Sequence, residues 1–399
     1  MKGEIPGHGH ADPARLSVRL LPATLKRAGR RGDNWCMTVA PDGSLVTSMC
    51  DGDWLHAGRD YHNHLYRLTG GPEDFTREDL PGYPDLAGTE GSWFGYGLAS
   101  VDNALYSAVS KTPDTSWSGP FLGIKLLKSM DNGRTWSRID RRGRERPLGP
   151  LDPARNIVDE DEMFFLRENG RPHESQEAYP FSFVEFLDHG AGPPGEVPDD
   201  GCIYIYSPEG AAAHELLLAR APKDKLGLRE AWEYCTGLDH NGSPAWSADP
   251  AARRPIHRFP QQSADGYFFG WYSWLPSVVW NPGLGLYIMA NGGTYAGHGM
   301  TESDKDYYDR WMHTRTGSLG FWCSPHPWGP WQEIWYTDYW TVDDPGNLTY
   351  QPKLAPSWIS EDGREMVLVW SDAGKDENGR SHSIHYVWNQ IKIRFDETD

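Results

Sequence analysis

The feature of the sequence that most constrains the fold is a loose pattern of short strands and tight turns that repeats along the chain. In each repeat an apolar or aromatic strand is followed by a tight turn and a second strand, and a third strand leads to a fourth that carries an aromatic anchor. The 44 glycines and 31 prolines are spread along the 399 residues, as frequent turns between short strands require. Helical periodicity is poor throughout. The chain is therefore predicted to be all-β.

Five repeats can be traced, and their first strands cover residues 35–39, 93–100, 181–187, 277–280 and 354–358. Radial repetition of four-stranded sheets is the arrangement of a β-propeller. We expect a single propeller domain over residues 1–399 with five blades. A strand around 17–21 should complete the last blade, and residues 1–14 should be a flexible N-terminus. Seven blades remain the alternative, because the inserts at 141–178 and 237–275 are long enough to hold further strands.

Composition narrows the class of partner. The formal net charge of −18 disfavours nucleic acids and anionic membranes, since both require basic patches on the protein. Aromatic residues make up 13% of the chain, and such side chains stack on sugar rings while carboxylates bind sugar hydroxyls. A carbohydrate is therefore the expected partner, although acidity that only aids solubility is the competing explanation. The sequence leaves open whether the protein forms a homo-oligomer.

Targeting and redox features point to the cytoplasm. No segment approaches the ~18 consecutive apolar residues of a membrane span, and residues 1–13 lack the apolar centre of a secretory signal. The 5 cysteines contain no CxxC pair and fit reduced thiols better than a disulfide framework. One cross-strand disulfide between Cys36 and Cys50 stays open. A secreted protein whose signal has been removed is the alternative to a cytoplasmic one.

The first repeat carries two carboxylates at corresponding places. Asp33 opens its first strand, and Asp51 closes the next one. The midpoint between them is Asp42, which lies in a Pro-Asp-Gly-Ser turn, so a hairpin folding there returns both carboxylates to the same rim. Glycoside cleavage requires one protonated acid and one ionised carboxylate on either side of the bond. The alternative is that each aspartate only caps a turn.

One short motif bears on the fold alone. The run Ser129-Met130-Asp131-Asn132-Gly133-Arg134-Thr135-Trp136 resembles the Asp-box, S-x-D-x-G-x-T-W. In sialidase-like propellers that motif forms the turn between the third and fourth strands of a blade, away from the catalytic face. Its Asp caps turn amides and its Gly supplies positive φ.

A second resemblance covers the hairpin. The residues Asp33-Asn34-Trp35-Cys36-Met37-Thr38, with Asp42-Gly43 and Asp51-Gly52, resemble the D-N-W-x-x-T-W-x-x-D-G … G-D-G signature of the domain of unknown function 4185 propellers. That family includes endo-D-arabinanases, and the resemblance implies that Asp33 and Asp51 are the acid–base pair. Val39 and Cys50 depart from its usual Trp and Gly, which leaves the substrate in doubt.

Later segments at 183–186, 203–208, 218–224, 327–331 and 389–393 resemble the wider superfamily, which includes ulvan-lyase-type propellers. The lyases typically place an arginine where this chain has Leu275. Without that arginine to neutralise a uronate carboxylate, the resemblance favours hydrolysis over β-elimination.

Further residues near the starts of inner strands are candidates for sugar contacts. The residues predicted to bind substrate are Asn34, Asp53, His62, His64, Glu90, Trp93, Tyr96, Tyr272, Trp274 and Asp372. Structural roles compete with this prediction, because aromatic residues also anchor blades. Other acids that could reach the pocket or serve the fold are Glu174, Glu177, Glu185 and Asp265.

No metal site is predicted, since His56, His62 and His64 lack a standard zinc spacing. No cofactor is required, and a structural Ca²⁺ is compatible with the chain although its ligands cannot be read from the sequence. The preferred function is a glycoside hydrolase acting on an oligosaccharide or glycoside, for example a D-arabinofuranoside or another pentofuranoside. The alternatives are a lyase acting on a uronate-containing glycan by β-elimination and a non-catalytic glycan-binding propeller.

Overall fold

The computed structural model describes residues 11–58, 61–84, 93–111, 121, 123–148, 163–165, 180–190, 197–209, 214–269, 275–293, 295–298, 316–375, 381–382 and 385–397. These residues form five antiparallel blades, so the prediction of an all-β, five-bladed propeller is confirmed and seven blades are excluded. Helical structure in these ranges is limited to 3-10 turns at Pro13–Arg15, Lys223–Lys225, Arg229–Ala231 and Pro250–Ala252. No helix in the described ranges is long and apolar enough to cross a membrane.

The chain enters through β1 (Leu16–Ala28), which belongs to the last blade, and then forms the first two blades in order. The strands of the first blade are β2 (Met37–Val39), β3 (Leu45–Gly52), β4 (Tyr61–Thr69) and β5 (Thr76–Asp79). Those of the second are β6 (Trp93–Val101), β7 (Ala104–Lys111), β8 (Gly123–Ser129), β9 (Ser137–Ile139) and β10 (Glu145–Pro147), with β11 (Phe164–Phe165) paired to β8.

The remaining blades follow the same antiparallel plan. The third contains β12 (Glu185–Phe186), β13 (Cys202–Pro208), β14 (Glu215–Pro222), β15 (Glu233–Leu238), β16 (Pro244–Ser247) and β17 (His257–Arg258). A separate pair joins β18 (Tyr267–Phe269) to β21 (Tyr295–His298). The fourth blade contains β19 (Ser277–Asn281), β20 (Leu286–Asn291), β22 (Leu319–Ser324) and β23 (Gln332–Thr337). The fifth contains β24 (Leu348–Ile359), β25 (Glu365–Lys375), β26 (Ser381–His382) and β27 (Trp388–Glu397), together with β1.

Burial explains why the inner and outer strands differ in sequence. The first six residues of β3 are all buried, and the strand is apolar or uncharged up to Cys50, because both of its faces pack against neighbouring sheets. The outermost strand β10 is fully exposed and begins with a glutamate and an arginine. Charged, short outer strands of this kind protect a sheet edge from pairing with other chains.

The first strand of each blade faces the propeller axis, and these five strands surround a central channel. Strand β2 contacts both β6 and β24, β6 also contacts β12, and β19 contacts β24. Asp188, just after β12, forms a parallel bridge with Val279 in β19, which completes the ring. All five inner strands therefore run in the same direction along the channel, and each blade begins at the same end of it.

The two ends of the described chain close the ring in one sheet. Strand β1 pairs antiparallel with β27, from Leu16 opposite Glu397 to Ala28 opposite Trp388. This confirms the predicted closing strand and extends it beyond residues 17–21. The junction between the last and first blades is packed by Trp35 and Trp388, whose ring centroids lie 5.2 Å apart.

The turn between β8 and β9 is held by a single aspartate. Asp131 Oδ1 accepts hydrogen bonds from the Thr135 amide at 2.8 Å and the Ser129 hydroxyl at 2.9 Å, and Oδ2 accepts from the Thr135 hydroxyl at 2.6 Å. The Ser129 oxygen in turn accepts from the Gly133 amide, where φ is +87°. The turn lies at the end of the blade away from Asp33, because β8 runs in the same direction as the inner strand β6 and ends at Ser129.

Several details differ from the prediction. The sequence of the first repeat shows no clear fourth strand, but the first blade has one, β5, whose Thr-Arg-Glu-Asp sequence carries no apolar signal. The inserts at 141–178 and 237–275 hold β10, β11, β16, β17 and β18, which extend existing sheets or form the separate pair rather than add blades. Of the N-terminal stretch, residues 1–10 lie outside the described ranges, whereas Ala11 is buried and its amide donates to the Leu284 carbonyl at 3.0 Å.

Candidate active site

The hairpin that carries Asp33 and Asp51 closes one residue out of the predicted register. The Asp33 amide donates to the Cys50 carbonyl at 3.0 Å, and the Cys50 amide donates back at 2.8 Å, so Asp33 lies opposite Cys50 rather than Asp51. The reason is local backbone geometry: φ is +56° at Asn34 and +50° at Asp51. A residue in this left-handed region adds a bulge to the strand and changes the direction of the side chains around it. Cys36 and Cys50 are both free thiols.

Asp33 is shielded from solvent. Asp33 is only 6% exposed, and its Oδ2 accepts a hydrogen bond of 2.7 Å from the Tyr350 hydroxyl. Burial, and then the negative charge of Asp51, raise the pKa of Asp33 to about 8, while hydrogen bonds from Tyr350 and Tyr386 act in the opposite direction. At neutral pH the Asp33 carboxyl is therefore mostly protonated and can donate a proton.

Asp51 has a more open environment. Its side chain is 40% exposed, and the Nδ1 atom of His62 lies 3.6 Å from its Oδ1 atom. Strand pairing explains the contact, because Gly52 pairs with Tyr61 and Cys50 with Asn63, which places His62 opposite Asp51. The His62 ring packs edge-on against Phe94 at 5.2 Å. An accessible carboxylate beside an imidazole can activate a water molecule or attack a substrate directly.

An aromatic wall from the second and third blades lies behind the two aspartates. Tyr96 packs edge-on against Phe183, with ring centroids 4.2 Å apart, and Phe183 stacks on Phe121 at 4.5 Å. Burial raises the pKa of Tyr96, with further contributions from Cys50 and then the two aspartates, so its hydroxyl stays neutral. Tyr96 itself is only 3% exposed.

Deeper in the channel, three side chains from different blades meet. Lys353 Nζ lies 3.5 Å from Glu185 Oε2, and both side chains are at least 95% buried. The same ammonium group donates to the Leu275 carbonyl, and Cys36 hydrogen bonds with Glu185. Burial raises the pKa of Glu185, while the Lys353 charge opposes this effect. Glu185 is therefore a paired, buried acid, which was one of the two roles predicted for it.

Two of the residues predicted to bind substrate form structural contacts below the hairpin. Asp53 is 3% exposed and forms an ion pair with Arg30, whose Nε lies 3.0 Å from Asp53 Oδ2. His64 stacks on Tyr61 at 4.4 Å, and its Nε2 lies 3.1 Å from Asp79. His62 and His64 thus have different partners. The described residues contain no group of three or more His, Cys, Asp or Glu side chains arranged to hold a metal ion.

Three other predicted contacts are buried. Both carboxylate oxygens of Asp372 are hydrogen bonded, one to the Trp370 indole at 2.9 Å and the other to Asn347 at 3.2 Å, and burial raises its pKa to about 7. Trp93 is 1% exposed and packs in the apolar core between the first and second blades. Asn34 is 4% exposed, next to Asp33 in the chain.

The remaining candidates fall into two groups. Glu90, Glu174, Glu177, Tyr272 and Trp274 lie outside the described residues. Asp265 accepts a 2.6 Å hydrogen bond from Ser263 within a turn. Sequence reasoning missed Tyr350, Tyr386 and Lys353, which come from the last blade and carry no local pattern that links them to the first hairpin.

No family model and no curated protein matches the chain. Solved structures that are similar include a candidate hydrolase from Bacteroides ovatus, with 14% identity, a TM-score of 0.47, and coverage of 99% of this chain and 97% of that one. An α-L-arabinofuranosidase from Podospora anserina in complex with cellotriose has 10% identity, a TM-score of 0.43, and coverage of 93% and 92%. A GH43_1 enzyme from Xanthomonas citri has 14% identity, a TM-score of 0.41, and coverage of 91% and 95%. A likeness at such identities does not assign an activity to this chain.

Proposed function

We propose that the protein is a glycoside hydrolase in which Asp33 is the general acid and Asp51 is the general base or nucleophile. The observation that carries this proposal is the contrast between the two aspartates of one hairpin. Asp33 is buried and has a pKa of about 8, whereas the Asp51 side chain is 40% exposed beside His62. Carboxylates whose surroundings separate their protonation states are the arrangement that acid–base cleavage of a glycosidic bond requires.

The proposed reaction uses each group in the state that its surroundings favour. Asp33 donates its proton to the glycosidic oxygen as the bond to the anomeric carbon breaks. Asp51 acts as the carboxylate in this proposal, and either removes a proton from the attacking water or attacks the anomeric carbon itself. As Asp33 becomes charged, the hydrogen bond from Tyr350 stabilises the new carboxylate. The anomer formed first distinguishes the two routes.

The substrate class follows from the resemblance of the hairpin to the endo-D-arabinanase family. The relation to that family is part of the proposal and rests on Asp33-Asn34-Trp35 with Asp51-Gly52. A pentofuranoside is therefore the first substrate to test, as a short oligosaccharide or an aryl glycoside. Tyr96, Phe183 and Phe121 are all buried, so they support the site from behind rather than offer a surface to the sugar.

A panel of aryl glycosides, pentofuranosides included, tests the proposal with the wild type and with Asp33→Asn and Asp51→Asn. Loss of the acid should matter most for poor leaving groups, so Asp33→Asn should retain much of its rate on a dinitrophenyl glycoside and little on an alkyl glycoside. Loss of Asp51 should lower the rate on both. A small anion such as azide should restore turnover to Asp51→Asn. Equal loss in both variants for every leaving group would contradict the assigned roles.

A lyase is the second candidate, and the contact between His62 and Asp51 supports it. A histidine oriented by a carboxylate is a suitable base for removing the proton α to the carboxyl group of a uronate. Incubation with uronate-containing oligosaccharides distinguishes the two. An unsaturated product that absorbs ultraviolet light, formed by the wild type and not by His62→Ala, would replace the hydrolase assignment.

A further inference from the structure

The hairpin formed by β9 and β10 is strongly basic in an acidic protein. Residues 138–146 contain five arginines against two acids, Asp140 and Glu145, whereas the whole chain has a formal net charge of −18. Strand β10 is the outermost strand of the second blade, and all three of its residues are exposed. The hairpin therefore presents a local excess of positive charge at the outer edge of the propeller. The arginines are Arg138, Arg141, Arg142, Arg144 and Arg146.

One buried carboxylate serves two of these arginines. Asp140 Oδ2 lies 2.8 Å from Arg144 Nη2 and 3.3 Å from Arg146 Nε. Its Oδ1 accepts hydrogen bonds from the backbone amides of Arg142 and Arg144, both at 3.0 Å. The Arg144 and Arg146 side chains remain 54% and 45% exposed. Because a single carboxylate balances a single guanidinium, one positive charge is left over at this contact.

The rest of the hairpin adds to this excess. Glu145 does not supply the missing negative charge, because it forms an ion pair with Lys128 in β8 at 2.5 Å. Arg142 is exposed, and its side chain makes no hydrogen bond or ion pair with the residues that the structure describes. Arg146 pairs directly opposite Arg138, and like charges at such positions repel each other. An anionic ligand would relieve this repulsion.

The third blade holds the hairpin in place. Arg142 forms an isolated bridge with Leu228, and the Arg229 amide donates to the Arg141 carbonyl at 2.9 Å. The turn contains Gly143 with a φ of +78°, where a Cβ atom would lie 2.9 Å from Leu228 Cδ2. The backbone that carries the arginines is therefore fixed before any ligand binds, and such preorganisation lowers the entropic cost of binding.

The chemistry of the hairpin indicates which kind of partner fits it. A planar guanidinium pairs with a carboxylate or a sulfate through two parallel hydrogen bonds. Strand β10 consists of Glu, Arg and Pro, whereas stable protein interfaces are built around large apolar or aromatic side chains. Duplex nucleic acid presents one charge per ~1.7 Å, and the rest of this acidic chain would repel so dense a polyanion. An acidic polysaccharide carries its charges farther apart, so it can contact the hairpin alone.

We propose that the β9–β10 hairpin is a docking surface for an acidic polysaccharide, whose carboxylate or sulfate groups bind Arg142, Arg144 and Arg146. The surface does not depend on the proposed hydrolase activity, because it shares no residue with the aspartate pair and lies at the outer edge of its blade rather than beside the channel. Docking there would tether the protein to a polymer without occupying the channel.

Titration calorimetry of the wild type with polygalacturonate, dextran sulfate and uncharged dextran tests this proposal. We expect saturable binding of at least one acidic polymer, weakened as the salt concentration rises, and no binding of dextran. The triple variant Arg142→Ser/Arg144→Ser/Arg146→Ser should bind the acidic polymer roughly tenfold more weakly or worse, because it loses charge-assisted hydrogen bonds.

A second triple variant is the matched control. Arg19→Ser/Arg258→Ser/Arg364→Ser removes the same number of positive charges from arginines on other blades, each of which also forms an ion pair. It should bind like the wild type. Turnover of an active aryl glycoside should stay unchanged in the hairpin variant, so failure of this proposal and failure of the hydrolase proposal can be told apart.

Three results would overturn the proposal: no saturable binding of either acidic polymer, equal binding by the hairpin variant and the control variant, or tighter binding of a DNA duplex or of polyglutamate than of both polysaccharides. The last result would assign the surface to a nucleic acid or to an acidic protein. Should the triple hairpin variant fail to fold, Arg142→Ser decides, since it leaves both contacts to Asp140 intact and should still weaken binding about threefold.

Discussion

The Tyr350 hydroxyl donates a 2.7 Å hydrogen bond to Asp33 Oδ2 across the junction between the last and the first blade. A donated hydrogen bond stabilises the ionised carboxylate more than the neutral acid, so this contact opposes the burial and the Asp51 charge that raise the pKa of Asp33. The protonation state of the proposed acid is therefore set by side chains from both ends of the chain.

Tyr350→Phe should raise the pKa of Asp33 above about 8, because the carboxylate loses a hydrogen bond while its burial is unchanged. The shift should be roughly one unit or more. The alkaline limb of kcat/KM against pH then moves to higher pH, and kcat falls because the carboxylate formed in the reaction is less stabilised. Tyr83→Phe is the matched control, since Tyr83 is also buried but bonds Ser107. A profile that shifts equally in both variants would contradict this role for Tyr350.

The raised pKa of Asp33 also makes folding stability depend on pH. The pKa of Asp33 is about 8 in the folded protein and about 4 in the unfolded chain. The neutral acid therefore contributes fully to folding stability at a pH below the pKa of the unfolded chain. This contribution is lost as the pH rises through the pKa of the folded protein. Asp33→Asn should therefore raise the free energy of unfolding above that of the wild type by a few kcal/mol at about pH 9 and by little at about pH 4. Urea denaturation at both values measures the difference, and a variant that is less stable at pH 9 would contradict it.

Removing one partner of the ion pair between Glu185 and Lys353 should destabilise the protein far more than removing both. Lys353→Met leaves Glu185 buried without its partner and should lower the free energy of unfolding by about 3–5 kcal/mol. Adding Glu185→Leu removes the unpaired charge and should recover a large part of the loss. Chemical denaturation of the single and double variants gives the coupling free energy between Glu185 and Lys353. Additive losses would show that the pair has no such interaction.

The turn between β8 and β9 should matter for stability and not for activity. Asp131→Ala removes the hydrogen bonds to Thr135 and should lower the free energy of unfolding by about 1–2 kcal/mol, with kcat/KM unchanged because the turn lies away from Asp33. Hydrogen bonds from Thr135 lower the pKa of Asp131 to about 2. Its contribution is therefore present above the unfolded pKa and lost as pH falls toward 2, so the difference between variant and wild type should shrink in acid.

Much of the fold could be predicted because the inner and middle strands bury both faces. The first strands predicted at 93–100 and 277–280 match β6 and β19 closely, and those predicted at 35–39, 181–187 and 354–358 overlap β2, β12 and β24. The closing strand was predictable because the last repeat lacks a fourth strand of its own. The polar outer strands β5 and β10 were not, since an exposed strand needs no apolar residues.

The aspartate hairpin could be located from its symmetry about Asp42, but its chemistry could not. The left-handed conformation of Asn34 shifts Asp33 opposite Cys50, and no pattern of residue types reports a single positive φ. Tyr350 lies 317 positions from Asp33 in the sequence. Contacts of that length depend on how the ring closes, so the asymmetry between the two aspartates becomes visible only in three dimensions.

Closure of the ring by β1 and β27 also fixes when the candidate site can exist during synthesis. Asp33 emerges from the ribosome 317 residues before Tyr350, and Tyr386 follows later still. Four blades can therefore form on the nascent chain while the carboxylate that later becomes the proton donor still faces water and has an ordinary acidity. The proposed catalyst is thus completed only when the fifth blade joins the first, long after Asp33 itself has been made.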